Sequence, residues 1–383
     1  MAATRLSDLH DSGAFDSINL VLKKMERGER IISLAVGEPT YDTPAEIIDA
    51  AYSGMKDGKT HYTSASGIPS VREAIAAKVR RKNRIECAAD SCAFMTTKMA
   101  IYAAFMAVVG SGRNEILLPN PGFFYTEPAL LAGLKVRYYG TVDGFTPDLK
   151  KLKSAMSSRT AAVVLNDPCN PTGKVLDRRE LEEIYGECAS NGAKLVSDEA
   201  YEDLVYEKEH ISAGSLEKEP DTVVSLFSLS KSYSMTGWRA GYVVASHEVL
   251  RDMVRLVEHT YTCSPPFIQL ASEYALNHCD GHIQRFREEF RTKRDFVQKR
   301  LNQIDGMHTG NIDGAFYAFP SYDIDMKSKE FCAQFLESHH VAVLPGIAFG
   351  TEGEKHLRIS FSGNLEDIGH GLDELEKFIG SRT

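Results

Sequence analysis

Short apolar runs alternate with stretches of helical spacing through the middle of this chain, and this alternation limits the possible folds more than any other feature. The runs are rich in Val, Leu and Ile, which suits strands buried on both faces. We predict six strands, at residues 115–118, 135–139, 161–165, 193–197, 222–227 and 240–244. Helical spacing occurs at residues 72–81, 100–109, 147–157 and 177–190. The alternation predicts an α/β fold with a mostly parallel sheet covered by helices, in which ligands bind beyond the carboxyl ends of the strands.

The character of the chain changes after about residue 275. A long charged stretch with helical spacing, residues 282–303, is followed by shorter elements. The length of 383 residues also exceeds the usual size of one domain. We therefore expect a large domain over residues 44–275 and a smaller α+β domain from residues 1–43 and 276–383, because chain termini often meet.

Composition excludes several classes of protein. The formal net charge is -9, whereas a nucleic-acid-binding protein needs a basic face. No stretch approaches the roughly 20 apolar residues of a membrane helix, and the first residues lack the apolar core of a secretory signal. The seven cysteines are dispersed, without zinc-ligand spacing, so no metal site is expected. We predict a cytoplasmic protein that binds neither nucleic acid nor membrane.

The segment at residues 228–242 reads SLSKSYSMTGWRAGY and lies between two predicted strands. Its Lys231 amine could form an imine with an aldehyde if desolvation and nearby cations lower its pKa. The hydroxyls of Ser228 and Ser230 and the guanidinium of Arg239 are donors of the kind that a phosphate requires. A lysine in a serine-rich loop is ordinarily a solvated surface residue, but here two glycines bracket the arginine, where the backbone needs a close approach.

This segment resembles the Schiff-base signature of the class I/II aminotransferases, a pyridoxal-phosphate-dependent family of the aspartate aminotransferase-like fold (fold type I). The resemblance implies a seven-stranded sheet in the large domain and a pyridoxal 5′-phosphate cofactor bound by Lys231 as a Schiff base. It implies that Ser228 and Arg239 hold the cofactor phosphate, with Ser230 as an additional contact.

Two further segments resemble the same family. In residues 166–173, NDPCNPTG, Asn170 matches the residue that hydrogen-bonds the 3′ oxygen of the cofactor and borders the substrate carboxylate, although alone the segment reads as a turn. In residues 197–203, SDEAYED, Asp198 would pair with the pyridine nitrogen, and Tyr201 would donate to the 3′ oxygen. Without the resemblance, Asp198 could simply cap a turn.

Residues 118–125, LPNPGFFY, match the loop whose aromatic ring stacks on the cofactor. The resemblance gives that role to Phe123, while we expect Phe124 to pack in the core. Many members of the family have Tyr or Trp at the position of Phe123. The ordinary interpretation of two adjacent phenylalanines is core packing for both.

Residues 95–100, MTTKMA, match the start of a helix whose backbone N–H groups hold the cofactor phosphate. The family normally has small residues where this chain has Thr96 and Thr97. We expect contacts at Thr97 and Lys98, with the Thr97 hydroxyl as a further donor.

The substrate end of the site rests on three segments. In residues 356–362, HLRISFS, the resemblance implies that Arg358 binds the substrate α-carboxylate. The alternating pattern of this segment equally suits an exposed strand residue. In residues 34–39, LAVGEP, the N–H of Gly37 would bind the same carboxylate. Tyr62 matches a tyrosine that reaches the phosphate of the neighbouring subunit, which implies a homodimer with shared active sites.

The resemblance implies an aminotransferase that moves an amino group from an L-amino acid to a 2-oxo acid by a ping-pong mechanism, with aspartate, aromatic or broad specificity. The catalytic residues would be Lys231, Asp198 and Tyr201. A lyase on the same fold, such as a C–S lyase, would keep every cofactor residue. A non-catalytic sensor domain could also keep the pocket, but such regulators usually carry a basic DNA-binding module.

Overall fold

The computed structural model describes residues 9, 13–110, 112–218 and 220–382. The α-helices of this part of the chain are α1 (Gly13–Glu26), α2 (Ala45–Lys56), α3 (Pro69–Lys78), α4 (Thr97–Val108), α5 (Thr126–Leu131), α6 (Leu149–Ala155), α7 (Arg178–Asn191), α8 (Leu229–Ser232), α9 (His247–Thr260), α10 (Pro266–His278), α11 (Asp280–Leu301), α12 (Ser328–His339) and α13 (Leu365–Gly380). The five helices predicted from spacing correspond to α3, α4, α6, α7 and α11. The predicted bounds differ from the observed ones by at most three residues.

The strands are β1 (Ile32–Ser33), β2 (Cys92–Phe94), β3 (Glu115–Pro119), β4 (Lys135–Tyr139), β5 (Thr141–Val142), β6 (Thr146–Pro147), β7 (Thr160–Asn166), β8 (Lys194–Asp198), β9 (Val223–Ser228), β10 (Gly241–Val244), β11 (Met307–His308), β12 (Tyr317–Ala318), β13 (Ser321–Tyr322), β14 (Val341–Ala342), β15 (Leu344–Pro345) and β16 (Leu357–Ser360). The central sheet has seven strands in the order β2-β10-β9-β8-β7-β3-β4. Strand β10 is antiparallel to both of its neighbours, and the other adjacent strands are parallel. The mostly parallel, seven-stranded sheet is therefore confirmed.

Helices cover both faces of this sheet, as the continuous apolar runs require. Successive side chains of a strand point to opposite faces. Accordingly, Leu226 packs with residues of α4 and α9 on one face, whereas its neighbour Phe227 packs with residues of α3 and α10 on the other. The apolar composition of β7, β8 and β9 follows from this double burial.

Two features of the sheet differ from the sequence prediction. Strand β4 is not buried on both faces: it lies at the edge of the sheet, and only Tyr139 of its residues is buried. Strand β2, the seventh strand, was not predicted from the sequence, because three residues are too few to show a pattern.

The carboxy-terminal third of the chain forms small sheets around a core built mainly from its own side chains, to which Leu34, Tyr201, Leu204 and Tyr206 also contribute. Strands β12, β16 and β15 make an antiparallel sheet, and side chains of α12 and α13 pack beneath it. Strand β1 pairs in parallel with β14, which brings the amino-terminal segment onto these elements. The expected division of the chain into two domains, with boundaries at residues 43 and 275, remains a prediction. Within the described ranges, no helix has the length and apolar character to cross a bilayer.

Candidate active site

A cavity of about 360 Å³ opens beyond the carboxyl ends of the central strands. Asn166, Asp198 and Ser228 are the last residues of the adjacent parallel strands β7, β8 and β9, so their side chains meet at one edge of the sheet. All of the predicted site residues except Tyr62 line this cavity. The fold thus brings together side chains that lie more than 300 residues apart in the sequence, from Gly37 to Arg358.

Lys231 reaches the cavity from a single helical turn. The Ser228 hydroxyl accepts a hydrogen bond from the Ser230 N–H at 3.2 Å and starts helix α8 directly after β9. The Lys231 Nζ donates to the carbonyl oxygen of Gly37 at 2.7 Å. The pKa of Lys231 is lowered to about 8, mainly by burial; the carboxylate of Glu38 opposes this shift, and the guanidinium of Arg358 adds to it. The alternative of a solvated surface lysine is therefore wrong, and a sizeable fraction of this amine is neutral near physiological pH.

Asp198 is a buried carboxylate that faces the same cavity. Its Oδ2 accepts a hydrogen bond from the Tyr125 hydroxyl at 2.8 Å, and its Oδ1 accepts one from the Ala200 N–H at 3.2 Å. The contact with the Ala200 N–H is the turn cap that the sequence suggested for Asp198, but it uses only one of the two carboxylate oxygens. Burial raises the pKa of Asp198, and both hydrogen bonds oppose that shift. A cation bound beside Asp198 would stabilise its charged form.

Arg358 lies in the interior, only 4% exposed, so the alternative of an exposed strand residue is wrong. Its Nη1 donates to Asn170 Oδ1 at 3.2 Å, and its Nη2 donates to the carbonyl oxygen of Ala35. Burial lowers its pKa. No carboxylate of the described residues forms an ion pair with this guanidinium, which is costly for a buried charge. The site is therefore suited to an anionic ligand.

Several hydrogen-bond donors line the cavity near the start of α4. Arg239 has a positive φ of 57°, and its Nη1 donates to the carbonyl oxygen of Thr236 at 2.7 Å. Its Nη2 lies 3.5 Å from the Thr96 hydroxyl. The Thr97 hydroxyl instead donates to the carbonyl oxygen of Phe227 at 3.0 Å, so the expectation that it serves as a free donor is wrong. Thr97 can still contribute its backbone N–H, which lies in the first turn of the helix.

Lys98 and the two phenylalanines form one wall. The Lys98 Nζ lies 4.7 Å from the centroid of the Phe123 ring and 3.3 Å from the carbonyl oxygen of Phe124. Burial lowers the pKa of Lys98, an effect that Asp198 and Glu127 oppose. Phe124 packs against a core cluster, as expected, and stacks on Phe349 at 5.4 Å; it also lines the cavity, which was not expected.

Tyr62 is the one predicted residue that stays outside the cavity. Its side chain is 87% exposed on the surface of the single chain. The predicted contact with the phosphate of a neighbouring subunit remains a prediction.

Among the polar side chains of the site that were missed in the sequence are Asn166, Tyr125 and Tyr317. Asn166 Nδ2 donates to the carbonyl oxygen of Asp198. Because ligands bind beyond the carboxyl ends of parallel strands, the position of Asn166 directly after a predicted strand could have identified it as a site residue. Tyr125 lies two residues from Phe123, but nothing in the sequence aims its hydroxyl at Asp198. Tyr317 comes from β12 in a different sheet, and its hydroxyl lies 2.8 Å from that of Tyr201. That contact depends on how distant parts of the chain pack, which no local pattern reveals.

A second group of ionisable side chains lies behind Asp198. Carboxylate and imidazole atoms of Glu199, Glu202 and His210 approach within 4.8 Å of one another, a spacing that could hold a metal ion. The carboxylate of Glu202, however, already binds Lys78 and Asn83. The sequence predicted no metal site, and this group provides no free set of ligands.

The cavity combines the groups that pyridoxal 5′-phosphate requires. An amine of lowered pKa can bind an aldehyde, and a buried carboxylate can pair with a protonated ring nitrogen. Hydroxyls, a guanidinium and the start of a helix suit a phosphate, and an aromatic ring suits a flat heterocycle. The residues present therefore fit this cofactor.

Comparisons with known proteins agree with this chemistry. The family model "Aminotransferase class I and II" matches residues 29–375. The aspartate aminotransferase of Pyrococcus abyssi is 36% identical over 91% of this chain and 92% of that protein. The aromatic-amino-acid aminotransferase 2 of Thermococcus litoralis is 35% identical over 92% of each protein. The solved structure of the aspartate aminotransferase from Thermus thermophilus with maleate is 29% identical and has a TM-score of 0.93, covering 99% of this chain and 100% of that chain.

Proposed function

The chain belongs to the class I and II aminotransferases, and on that premise we propose that it moves amino groups between dicarboxylic L-amino acids and 2-oxo acids. It is a pyridoxal-phosphate-dependent aminotransferase of fold type I. When bound, the cofactor carries the amino group on its aldehyde carbon and withdraws electrons from the substrate Cα. The observation that carries the proposal is that the Lys231 amine and the Asp198 carboxyl group line one cavity.

Lys231 has two tasks in this proposal. Its Nζ would hold the cofactor covalently between turnovers, and as a free amine it would remove the Cα proton of the substrate. A pKa of about 8 in the cofactor-free chain supports the second task, because a general base works best when its pKa is near the working pH. Asp198 keeps the ring nitrogen protonated, and its burial strengthens that pairing.

The remaining cofactor contacts follow from the lining of the cavity. We assign the phosphate to Ser228, Ser230, Arg239 and the N–H of Thr97. The cofactor ring stacks on Phe123. The side chains of Asn170 and Tyr201 donate hydrogen bonds to the 3′ oxygen of the cofactor.

The substrate α-carboxylate binds to Arg358. Both oxygens of a carboxylate can pair with the fork of a guanidinium, and this guanidinium lacks an anionic partner in the described part of the chain. Asn170 already touches Arg358 and borders the same position. The Gly37 N–H supplies a further donor from the loop above.

Lys98 is assigned a different role from the one that the sequence suggested. Its ammonium lies against the Phe123 ring, and no carboxylate of the described residues pairs with it. A partly desolvated cation in this position suits the distal carboxylate of a dicarboxylic substrate. The similarity to a Thermus thermophilus enzyme solved with maleate, a dicarboxylate, supports this assignment.

An aromatic substrate is the second candidate. Ile18, Phe124 and Leu344 line the cavity and belong to one apolar cluster, which could admit an aromatic ring. The similarity to the Thermococcus litoralis aromatic-amino-acid aminotransferase supports this candidate as well. Lys98 is the residue that should separate the two substrate classes.

We therefore expect Lys98→Met to reduce kcat/KM for L-aspartate by roughly 10- to 100-fold, because one charge-assisted contact is lost. For L-phenylalanine, we expect a change of less than about threefold. The experiment is a scan of both donors against 2-oxoglutarate with the purified, cofactor-loaded wild type and variant. Lys150→Met, at an exposed lysine of α6, is the matched control. Equal losses for the two donors would contradict the role of Lys98.

The same scan tests the reaction type. An aminotransferase yields sustained product only when an acceptor 2-oxo acid is present. Release of ammonia and a 2-oxo acid without an acceptor would instead favour the C–S lyase, and binding of the cofactor without turnover would favour the sensor domain.

We further propose a homodimer in which Tyr62 of each chain reaches the cavity of the other. Exposed apolar side chains of helix α2 support this, since Ile48, Tyr52 and Met55 are 46%, 57% and 43% exposed along one face. Such a stripe usually marks an interface. We expect a dimer in sedimentation equilibrium at micromolar protein, and a monomeric, fully active enzyme would contradict this arrangement.

We also propose that the enzyme is cytoplasmic. All seven cysteines lie in described ranges and are free thiols, which suits a reducing compartment.

A further inference from the structure

The hydroxyl groups of Tyr201 and Tyr317 form a buried pair at the edge of the cavity. Their oxygens are 2.8 Å apart, and either one can be the donor in the chain alone. Both rings are almost completely buried, at 6% and 2% exposure. In the described part of the chain, the Tyr201 oxygen is the hydrogen-bond partner found for the Tyr317 hydroxyl. Tyr317 has no assigned role in the reaction.

The direction of this hydrogen bond follows from the number of protons. A tyrosine hydroxyl has one proton to donate and lone pairs to accept with. If Tyr201 gives its proton to the 3′ oxygen of the cofactor, it cannot also donate to Tyr317. The Tyr317 proton must then point at the Tyr201 oxygen. The two hydrogen bonds then point the same way: Tyr317 donates to Tyr201, and Tyr201 donates into the cavity.

The ring of Tyr317 touches the other half of the site. Its centroid lies 4.4 Å from the guanidinium carbon of Arg358, close enough for a cation–π contact. A Cβ placed on Gly37 would overlap the Tyr317 hydroxyl oxygen, so the backbone of that loop passes directly over the pair. Only glycine leaves room for this approach, and the loop covers the two hydroxyls on that side.

We propose that Tyr317 is a positioning residue with two separable parts, and this inference rests on the proposed function. Its hydroxyl donates to Tyr201 and thereby turns the Tyr201 proton toward the cofactor. Its ring holds the Arg358 guanidinium in place for the substrate carboxylate. A donor whose own oxygen accepts a hydrogen bond is polarised and donates more strongly.

The two parts predict different effects for two substitutions. Tyr317→Phe removes the hydroxyl and keeps the ring, whereas Tyr317→Leu removes both. Donation from Tyr201 stabilises the anionic 3′ oxygen and favours loss of the neighbouring proton from the Lys231–cofactor linkage. Weakening that donation should raise the pH at which the bound cofactor changes its absorbance.

The decisive measurement is the pH titration of cofactor absorbance in the holoenzyme, without substrate. We expect Tyr317→Phe to raise the midpoint by roughly half a pH unit. Tyr201→Phe should raise it more, and the double variant should equal Tyr201→Phe alone, because Tyr317 acts through Tyr201. Tyr139→Phe is the matched control, since Tyr139 is equally buried but donates to the carbonyl oxygen of Val164 outside the cavity.

Substrate binding tests the role of the ring. Tyr317→Phe should leave KM for the amino donor within about twofold, while Tyr317→Leu should raise KM at least about fivefold through the loss of the cation–π contact. Thermal melting with each variant reports whether the fold is retained. Site-specific 3-fluorotyrosine at position 317 keeps the shape of the residue and makes it a stronger donor, so it should lower the midpoint.

The outcomes are distinguishable. An unchanged midpoint in Tyr317→Phe and in the fluorotyrosine protein overturns the inference while the proposed function stands. Additive shifts in the double variant, or the same shift in Tyr139→Phe, also overturn it. A wild-type protein that binds no cofactor overturns both this inference and the proposed function.

Discussion

Replacing Lys231 by alanine is expected to reduce amino transfer to less than about one thousandth of the wild-type rate, while the protein stays folded. The substitution removes both the group that binds the cofactor and the base that moves the Cα proton. Lys98 is the other lysine that lines the cavity, but its ammonium is held against Phe123 and Phe124. The measurement is steady-state turnover of purified protein, alongside a thermal melt.

Lys231→Arg is the informative control for this prediction. Arginine keeps the positive charge and most of the length, but it stays protonated in proteins. If Lys231 acts only as a cation, the arginine variant should retain activity. We expect it to be as inactive as the alanine variant. Turnover retained in Lys231→Ala would remove this residue from the mechanism.

Replacing Asp198 by asparagine is expected to lower kcat by at least about a hundredfold. Asparagine has nearly the same shape and can still accept the hydrogen bond from Tyr125. It carries no charge, so the ring nitrogen would lose the partner that keeps it protonated and electron-withdrawing. KM should change much less than kcat, because the substrate carboxylate binds to Arg358.

Glu199→Gln provides a matched control at the adjacent position. Glu199 points away from the cavity, and its Oε1 accepts a hydrogen bond from the Ala213 N–H at 3.3 Å. Burial raises the pKa of Glu199 to about 8, so the side chain is largely protonated near neutral pH and glutamine resembles it. We expect its kcat to stay within about threefold of wild type. An unchanged kcat in Asp198→Asn would refute the role of Asp198.

The central sheet could be predicted because of its burial. Strands β7, β8 and β9 are covered on both faces, which leaves continuous apolar runs that are visible in the sequence. Their carboxyl ends then fix where Asp198 and Ser228 must lie. Strand β4 shows the limit of this reasoning. Its apolar run predicted which residues form the strand, but not that the strand lies at the edge of the sheet.

The candidate site was predicted where its residues stand in recognisable local segments. Lys231, Asp198 and Arg358 were found in this way, and all three line the cavity. The polar contacts between segments were not found. Tyr317 and Tyr201 are 116 residues apart, and their pairing depends on how β12 packs against the large sheet. The hydroxyl of Thr97 was misassigned because the carbonyl oxygen of a neighbouring strand competes for it.

The covalent link to the cofactor is the central claim, and it can be read directly. Treating the cofactor-loaded protein with borohydride fixes the bond between lysine and cofactor, and peptide mass spectrometry then locates the modified residue. We predict a phosphopyridoxyl group on the peptide that contains Lys231 and none on the peptide that contains Lys98. Modification of Lys98 with Lys231 untouched, or active enzyme without any modified lysine, would contradict the account.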